Sequence, residues 1–434
     1  MRTNLLRMLP RLSGHVRLQA LGAGLLALAV AGVVLGDPVT HDQGRLVAAP
    51  TPARHSLQRV TSDAAFAAGT LQGARVSGGS VSIATPAGTT TYAGKRWSYA
   101  RWTGPWVTTP RSFSQLVPTW DALTPAGTFV QVQVRARSTV GTVSGWKTMA
   151  SWATRDAGFR RASAGTQRDA VAGVSTDTLT AGSGVSLAGY QLRTVLLRAP
   201  GSTASPTLRS VQAVATLPAS GTQTTSRPLL PATTLAVPRY SQMTHRGQYP
   251  QWGGGGQAWC SPTSLSMILG YYRTLPAASS YAWVSKNYAD PWVDHVARVV
   301  YDYGYQGAGN WAFNTAYAAT LTGDAFVTRL GNLREAERFI AAGIPLAASI
   351  TFSRGQLDGA PIGATAGHLV VISGFTSTGD VVVNDPAAPS NASVRRVYDR
   401  GQFERAWQTR SQGTVYVVHD AAHPLPVRGV NRNW

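Results

Sequence analysis

The chain has 434 residues, of which 39 are lysine or arginine and 19 aspartate or glutamate, giving a net charge of +20 near neutrality, and it holds one cysteine. A single thiol excludes an internal disulfide framework, so stability must come from ordinary hydrophobic cores, and a chain of this length can bury two or so of them. With only three glutamates a paired-glutamate glycosidase is not expected, although aspartates could serve, and no His-Glu-x-x-His, zinc-finger spacing or glycine-rich phosphate loop occurs, so neither a metal nor a cofactor is expected.

Residues 1–36 open with Arg2, Arg7, Arg11 and Arg17 and then run apolar and small from Ala20 to Leu35, the layout of a secretory signal or an N-terminal anchor. The run falls short of the roughly 20 apolar residues of a membrane span. A membrane is a partner only if this segment stays uncleaved, and both readings put the remainder outside the cytoplasm, secreted or associated with the cell wall. Residues 37–60 are polar and expected to be flexible.

Residues 61–217 read as an all-β domain. Phe129 to Arg137 alternates apolar and polar, the signature of a half-buried strand, and strand-like segments recur at Gly145 to Trp152, Tyr190 to Arg198 and Leu208 to Ala215. With no helical pattern between them, they predict a β-sandwich accessory domain. Trp97, Trp102, Trp106, Trp120, Trp146 and Trp152 crowd this region and are expected in its core, a sugar-stacking surface being the alternative. Residues 218–236, rich in Pro, Thr and Ser, read as a linker.

Residues 237–422 form a second domain, with 423–434 as a tail. Beyond Cys260, Leu265, Ile268, Leu269 and Tyr272 recur at i, i+3, i+4 and i+7, the stripe of a core-facing helix, and Pro262 suits its first turn. Cys260 thereby sits at a helix N-terminus, where unpaired N–H groups and the helix dipole favour an anion and lower a thiol pKa. A buried filler thiol is the bland reading. A thiolate nucleophile needs a histidine base and a group to orient it. His245 follows a turn-like stretch, and His295 lies in a predicted helix with a surface or satisfied core role. His368, by contrast, stands at the mouth of the strand Leu369 to Phe375, after a glycine-rich loop, and the following strand, Val381 to Asn384, delivers Asp385. If these two strands form a hairpin around Thr376 to Gly379, Phe375 faces Asp380 and His368 faces Ala387. Asp385, two residues from that partner, then projects from the His368 face.

Elsewhere, Asn332 and Glu335 mark the start of a helix that Gly343 ends, and Ile344 to Thr351 and Val415 to Val418 read as further strands. Helices first and strands last give an α+β domain.

The Cys-x-Pro-Thr-Ser helix start, Gly367-His368 at a strand mouth and Asn384-Asp385-Pro386 after the next strand resemble the C39-like cysteine peptidases of the papain-like group, over roughly Val237 to Val418. The resemblance implies a papain-like α+β fold with Cys260 as nucleophile, His368 as general base and acid, and Asp385 as the residue orienting the imidazole. It also implies a glutamine upstream of the cysteine in the oxyanion hole, a place that Gln242 fits better than Gln248, Gln251 or Gln257. Two departures stand out: Ser261 follows the cysteine where many relatives have glycine, and Gly253 to Gly256 lengthen the segment between Gln242 and Cys260.

The implied function is that of a secreted cysteine peptidase acting on a peptide or protein. A transglutaminase-like acyl transferase and a catalytically inactive cell-wall-binding protein are the alternatives. Strong basicity points to anionic partners, here anionic cell-wall polymers rather than nucleic acid, for which no binding motif is present.

Overall fold

In a computed structural model, residues 54–156, 158–219, 224–428 and 432–434 are described. The expected signal segment 1–36 and most of the segment 37–60 lie outside them.

The N-terminal half is a β domain of two antiparallel sheets, each of eight strands. The first runs Gln167–Arg168, Ala172–Ser175, Thr178–Ala181, Gln115–Leu123, Thr207–Thr216, Ser80–Ile83, Ala74–Ser77, with His55–Val60 also paired to Thr207–Thr216. The second runs Ala162–Ser163, Lys147–Trp152, Thr128–Ser138, Leu187–Arg198, Lys95–Thr103, Thr70–Gln72, with Gly88–Tyr92 and Val107–Phe113 alongside. Period-two patterning drives this arrangement. Along Thr128–Ser138, Val130, Val132, Val134 and Ala136 are buried while Gln131, Gln133, Arg135 and Arg137 are half-exposed. Trp97, Trp102, Trp120 and Trp152 are buried as expected, whereas Trp106 and Trp146 stay half-exposed.

Two expectations for this half are corrected. Residues 55–60, placed in the flexible segment, form a strand with His55 opposite Thr216 and Val60 opposite Val211, because His55 and Leu57 fill inward positions that the alternation of polar and apolar residues alone did not mark. A short helix, Asp63–Ala67, interrupts the strands. Ser62 caps it and Phe66 anchors it.

The C-terminal half places the helices Cys260–Tyr271, Pro291–Val300, Trp311–Thr322, Leu333–Ala341 and Arg400–Gln408 around a seven-stranded sheet ordered Asp324–Arg329, Thr414–His419, Leu346–Phe352, Thr365–Phe375, Val381–Asn384, Arg395–Tyr398. The segment read as a linker contributes the seventh strand, Thr233–Thr234, paired to Thr365–Phe375. It is tied down further where Ser226 N–H donates to Glu404 and Leu229 N–H to Glu337. The expected tail is docked as well: Trp434 is buried against Phe339, and Asn433 Nδ2 donates to Arg329 O.

The described residues pack as one compact unit in which a single hydrophobic core runs through both halves. Trp120 and Trp152 of the β domain meet Phe313 of the C-terminal half at ring distances of 6.2 and 5.0 Å. The fully buried Arg161 donates to Ala153 O, Thr154 O and, across the boundary, Arg298 O. Asp302 accepts from Ser163 N–H at 2.8 Å. No helix among the described residues is long and apolar enough to cross a membrane.

Candidate active site

Cys260 is the first residue of its helix, as its sequence context predicts, and the residue is partly exposed. Two hydroxyls fasten this helix to the sheet. Ser264 Oγ donates to Leu369 O at 3.0 Å, and Ser261 Oγ lies 2.8 Å from the buried Tyr416 hydroxyl. The serine that departs from the glycine of many relatives therefore links the residue after the thiol to the strand Thr414–His419.

His368 lies on the strand Thr365–Phe375, opposite Ile350, and is buried. Its Nε2 lies 2.7 Å from Asp385 Oδ1. His368 and Cys260 interact, each favouring the charged form of the other, and with Nε2 committed to Asp385, Nδ1 is the nitrogen left to serve the thiol. Asp385 is buried and doubly held: Oδ1 also accepts Ala387 N–H at 2.9 Å, and Oδ2 accepts the Tyr398 hydroxyl at 2.7 Å. Sequence reasoning missed Tyr398. Its only local signal is its position on a strand next to the one that delivers Asp385, in register with Val381.

The hairpin explains how the two side chains meet. Near the turn, Phe375 faces Val381 and Gly374 faces Val382, one residue off the expected register. A bulge at Ser373 then restores it, so that Ile372 faces Val383 and Val371 faces Asn384. Without the bulge Asp385 would project from the opposite sheet face to His368, because side chains alternate with period two. The carbonyl freed at Ser373 is satisfied by Leu235 N–H at 2.7 Å, from the segment read as a linker.

Electrostatics follow from the burial and the pairing. Burial disfavours the Cys260 thiolate, but the His368 hydrogen bond and charge, together with N–H donation from Leu369 and Ser261, outweigh it and lower the thiol pKa. Burial likewise opposes the imidazolium, and Asp385 and Cys260 overcome it, so the His368 pKa is raised. Burial would raise the Asp385 pKa, yet His368 and Tyr398 hold it below the ordinary carboxylate value. The three groups favour a thiolate–imidazolium–carboxylate array.

Gln242 opens a short 3₁₀ turn and is buried. Its backbone N–H donates to Pro386 O, next to Asp385, and its Nε2 donates to Gln257 O at 2.8 Å, three residues before the thiol. A side-chain amide has two N–H groups, so one donor remains. Gln257 keeps one amide N–H by the same count, but it is exposed and braces the glycine run, with Oε1 accepting Gly247 N–H and Nε2 donating to Gly254 O. Gln248 is engaged by His245 and by Thr244 O. In the glycine run, Gly253, Gly254 and Gly255 take φ of 82°, 98° and 103°, which is left-handed space that side chains rarely enter.

His245 and His295 stand outside this array. His245 Nδ1 pairs with the buried Asp294 at 3.0 Å, and burial drops the His295 pKa to about 4. Among the described residues no cluster of His, Cys, Asp or Glu could hold a metal ion.

Cys260 opens onto a cavity of about 670 Å³. One wall is the loop Tyr305 to Gly309, organised by Asp302, whose Oδ1 accepts the N–H groups of Gly304 and Tyr305 while Oδ2 accepts Asn310 Nδ2. Another comprises Ser349, Thr351, Ala366 and Arg410. The remaining wall comes from the β domain: Ser175, Thr176 and Asp177, the turn between the strands Ala172–Ser175 and Thr178–Ala181. Asp177 Oδ2 accepts Trp311 N–H at 3.2 Å, which joins this turn to the cavity's rear helix.

Residues 56–216 match the family model of the peptidase C39 N-terminal domain, and residues 234–415 match that of the peptidase C39-like family. No curated protein matches the chain significantly.

Proposed function

The chain belongs to the C39-like peptidase family, and from that premise we propose that it is an exported cysteine peptidase with a papain-like catalytic half, hydrolysing peptide bonds through Cys260, His368 and Asp385. The observation that carries this reading is the buried His368–Asp385 pair at 2.7 Å, coupled electrostatically to a Cys260 thiol at a helix start beside an open cavity. An inert filler thiol requires none of these partners.

In the proposed cycle the Cys260 thiolate attacks the scissile carbonyl carbon. The resulting oxyanion is met by the Cys260 backbone N–H, a first-turn donor without an intrahelical acceptor, and by the second N–H of the Gln242 amide. The His368 imidazolium gives its proton to the leaving amine, the C–N bond breaks and a thioester remains. Neutral His368 then takes a proton from water, which attacks the thioester, and the thiol is regenerated. Asp385 keeps the ring oriented and stabilises its charged form throughout. The cavity is an open groove rather than a closed chamber, in keeping with an extended chain as substrate. Placing the reaction outside the cytoplasm rests on residues 1–36.

The test uses the full chain, with Cys260→Ala as control, on a mixture of peptides and on unfolded proteins, with new amino termini read by mass spectrometry. New termini that require Cys260 support hydrolysis. Conjugation to an added amine with no hydrolysis in its absence would move the assignment to acyl transfer. A thiol that labels only after unfolding would leave a binding protein.

A further inference from the structure

The outer face of the second sheet carries four arginines interleaved with two half-exposed tryptophans. From the strand Thr128–Ser138, Arg137 and Arg135 each place a guanidinium 5.1 Å from the Trp106 ring centre. Arg135 also lies 4.7 Å from the Trp146 ring, and Arg193 of the neighbouring strand lies 3.8 Å from it. The order is Arg137, Trp106, Arg135, Trp146, Arg193, with Arg101 beyond, set over Tyr99 at 5.2 Å. Each indole is shared by two guanidiniums, which leaves little free face on which a sugar ring or a nucleobase could stack.

What this ladder presents outward is N–H edges. Its hydrogen-bond partners are neutral: Gln191 for Arg135, Thr103 for Arg193, Gln72 for Arg101 and Thr108 for Arg137. None of the four takes part in an ion pair among the described residues. Burial, and after it the charges of Arg101 and Arg135, depress the Arg193 pKa to about 10. Stacking fixes the planar forks in place, so little rotamer entropy remains to be lost when an anion binds them.

We propose that this arginine–tryptophan ladder is a binding site for a linear phosphate-bearing polyanion, whose successive phosphates bridge Arg137, Arg135, Arg193 and Arg101. Guanidinium forks match phosphate geometry bidentately, and a polymer satisfies a row of stacked cations where a single small anion meets only one. The site is separate from the Cys260 cavity, and its test does not depend on peptidase activity.

The full chain is titrated with long-chain inorganic polyphosphate at several salt concentrations. Tight binding at low salt is expected, weakening steeply as salt rises because counterions are released from the polymer. Arg135→Gln/Arg193→Gln should bind at least tenfold more weakly and flatten the log–log salt slope by roughly one to two units, at about 0.7–0.9 per phosphate contact. Arg334→Gln/Arg338→Gln removes the same charge from exposed positions on a helix of the other half and should stay within about twofold of the parent. Equal losses in the two double variants would reduce the effect to net charge and overturn the proposal. So would binding to anionic phospholipid vesicles without binding to polyphosphate, or unchanged binding in Arg135→Gln/Arg193→Gln, which would make the ladder a structural brace. If that variant unfolds, Gln133→Glu takes its place. Gln133 lies opposite Arg193 on the same face, and a carboxylate there should cut polyphosphate affinity at least tenfold with the stacked side chains intact, whereas unchanged affinity would overturn the assignment.

Discussion

Tyr398 gives its hydroxyl to Asp385 Oδ2 at 2.7 Å, on the carboxylate oxygen opposite the one that holds His368. The carboxylate is thereby pinned against rotation, and through it the imidazole plane is pinned as well. Tyr398→Phe is expected to keep the fold and lower kcat about tenfold or more, the equivalent of one hydrogen bond to a charged group, with KM little changed. Asp385→Asn should cost on the order of 10²–10⁴ in kcat, since the ring loses both its orientation and the counter-charge for its imidazolium. Steady-state kinetics on one peptide substrate, with thermal unfolding alongside, checks both.

The titration of Cys260 offers a second check. Its thiol pKa is lowered by His368, and that of His368 is raised by Asp385 first and by Cys260 second. Alkylation by iodoacetamide should therefore stay fast below the ordinary thiol pKa, fall off in acid as the thiolate is protonated, and lose its ion-paired character in alkali as the imidazolium gives up its proton. In His368→Ala the acid-side inflection should move up toward an ordinary thiol. An inflection in the same place would remove His368 as the partner. Stability follows the same pair: with a folded pKa above 6.5, the His368 contribution is complete below that value and fades as pH rises through the raised folded pKa.

Removing the Gln242 side-chain amide tests its proposed oxyanion role. Gln242→Ala should lower kcat by about 10²–10³, the usual cost of one such donor, while Gln257→Ala should act mainly on the stability of the glycine loop it braces. Reversal of that ranking in kcat would reassign the role to Gln257.

The tie between Ser261 and Tyr416 predicts a non-additive pair. Ser261→Ala or Tyr416→Phe alone leaves a buried hydroxyl unpaired, which costs about 1–3 kcal/mol. Together they remove both partners, so denaturant unfolding of the double variant should show less loss than the sum of the two.

Across the boundary between the halves, Arg161 donates to three carbonyls and is fully buried. Arg161→Ala should destabilise by about 2–5 kcal/mol through the cavity and the orphaned acceptors, and calorimetry should record one unfolding transition for the whole described body. A fragment beginning at residue 224 is expected to fold poorly and to lack activity, because it has also lost the Ser175 to Asp177 wall of the cavity. A fragment with full activity on a peptide would show that this wall contributes nothing.

The sequence made the array of Cys260, His368 and Asp385 legible wherever chemistry and periodicity coincide in a short span. The apolar stripe after Cys260 placed the thiol at a helix start, and two β-rich runs separated by a turn placed His368 and Asp385 on adjacent strands. Tyr398 stayed hidden because its role arises only from pairing with a strand whose partner order no local pattern states. The cavity wall at Ser175 to Asp177 was hidden for a related reason: it lies more than 80 residues before Cys260 and belongs to the other half. The strand His55–Val60, the linker strand Thr233–Thr234 and the buried Trp434 were misread as loose sequence, since each is short and polar on average and is ordered by the surface it docks on rather than by its own propensity.

The bulge at Ser373 lies five residues from His368 and touches no reacting atom, yet it decides whether the two partners meet. The loop between the strands runs one residue longer than a closure of Phe375 on Asp380 would need, and the bulge takes up that residue, so the pairing beyond it returns to the register in which His368 and Asp385 share a face. Register, and not residue count, is what matters. Excising Ser373 would leave Ile372 against Val383 and keep the two partners on one face, whereas pairing that continued unbulged past Ser373 would part them with every site residue still in place. A comparison of residue identities at the site alone would not detect such a slip.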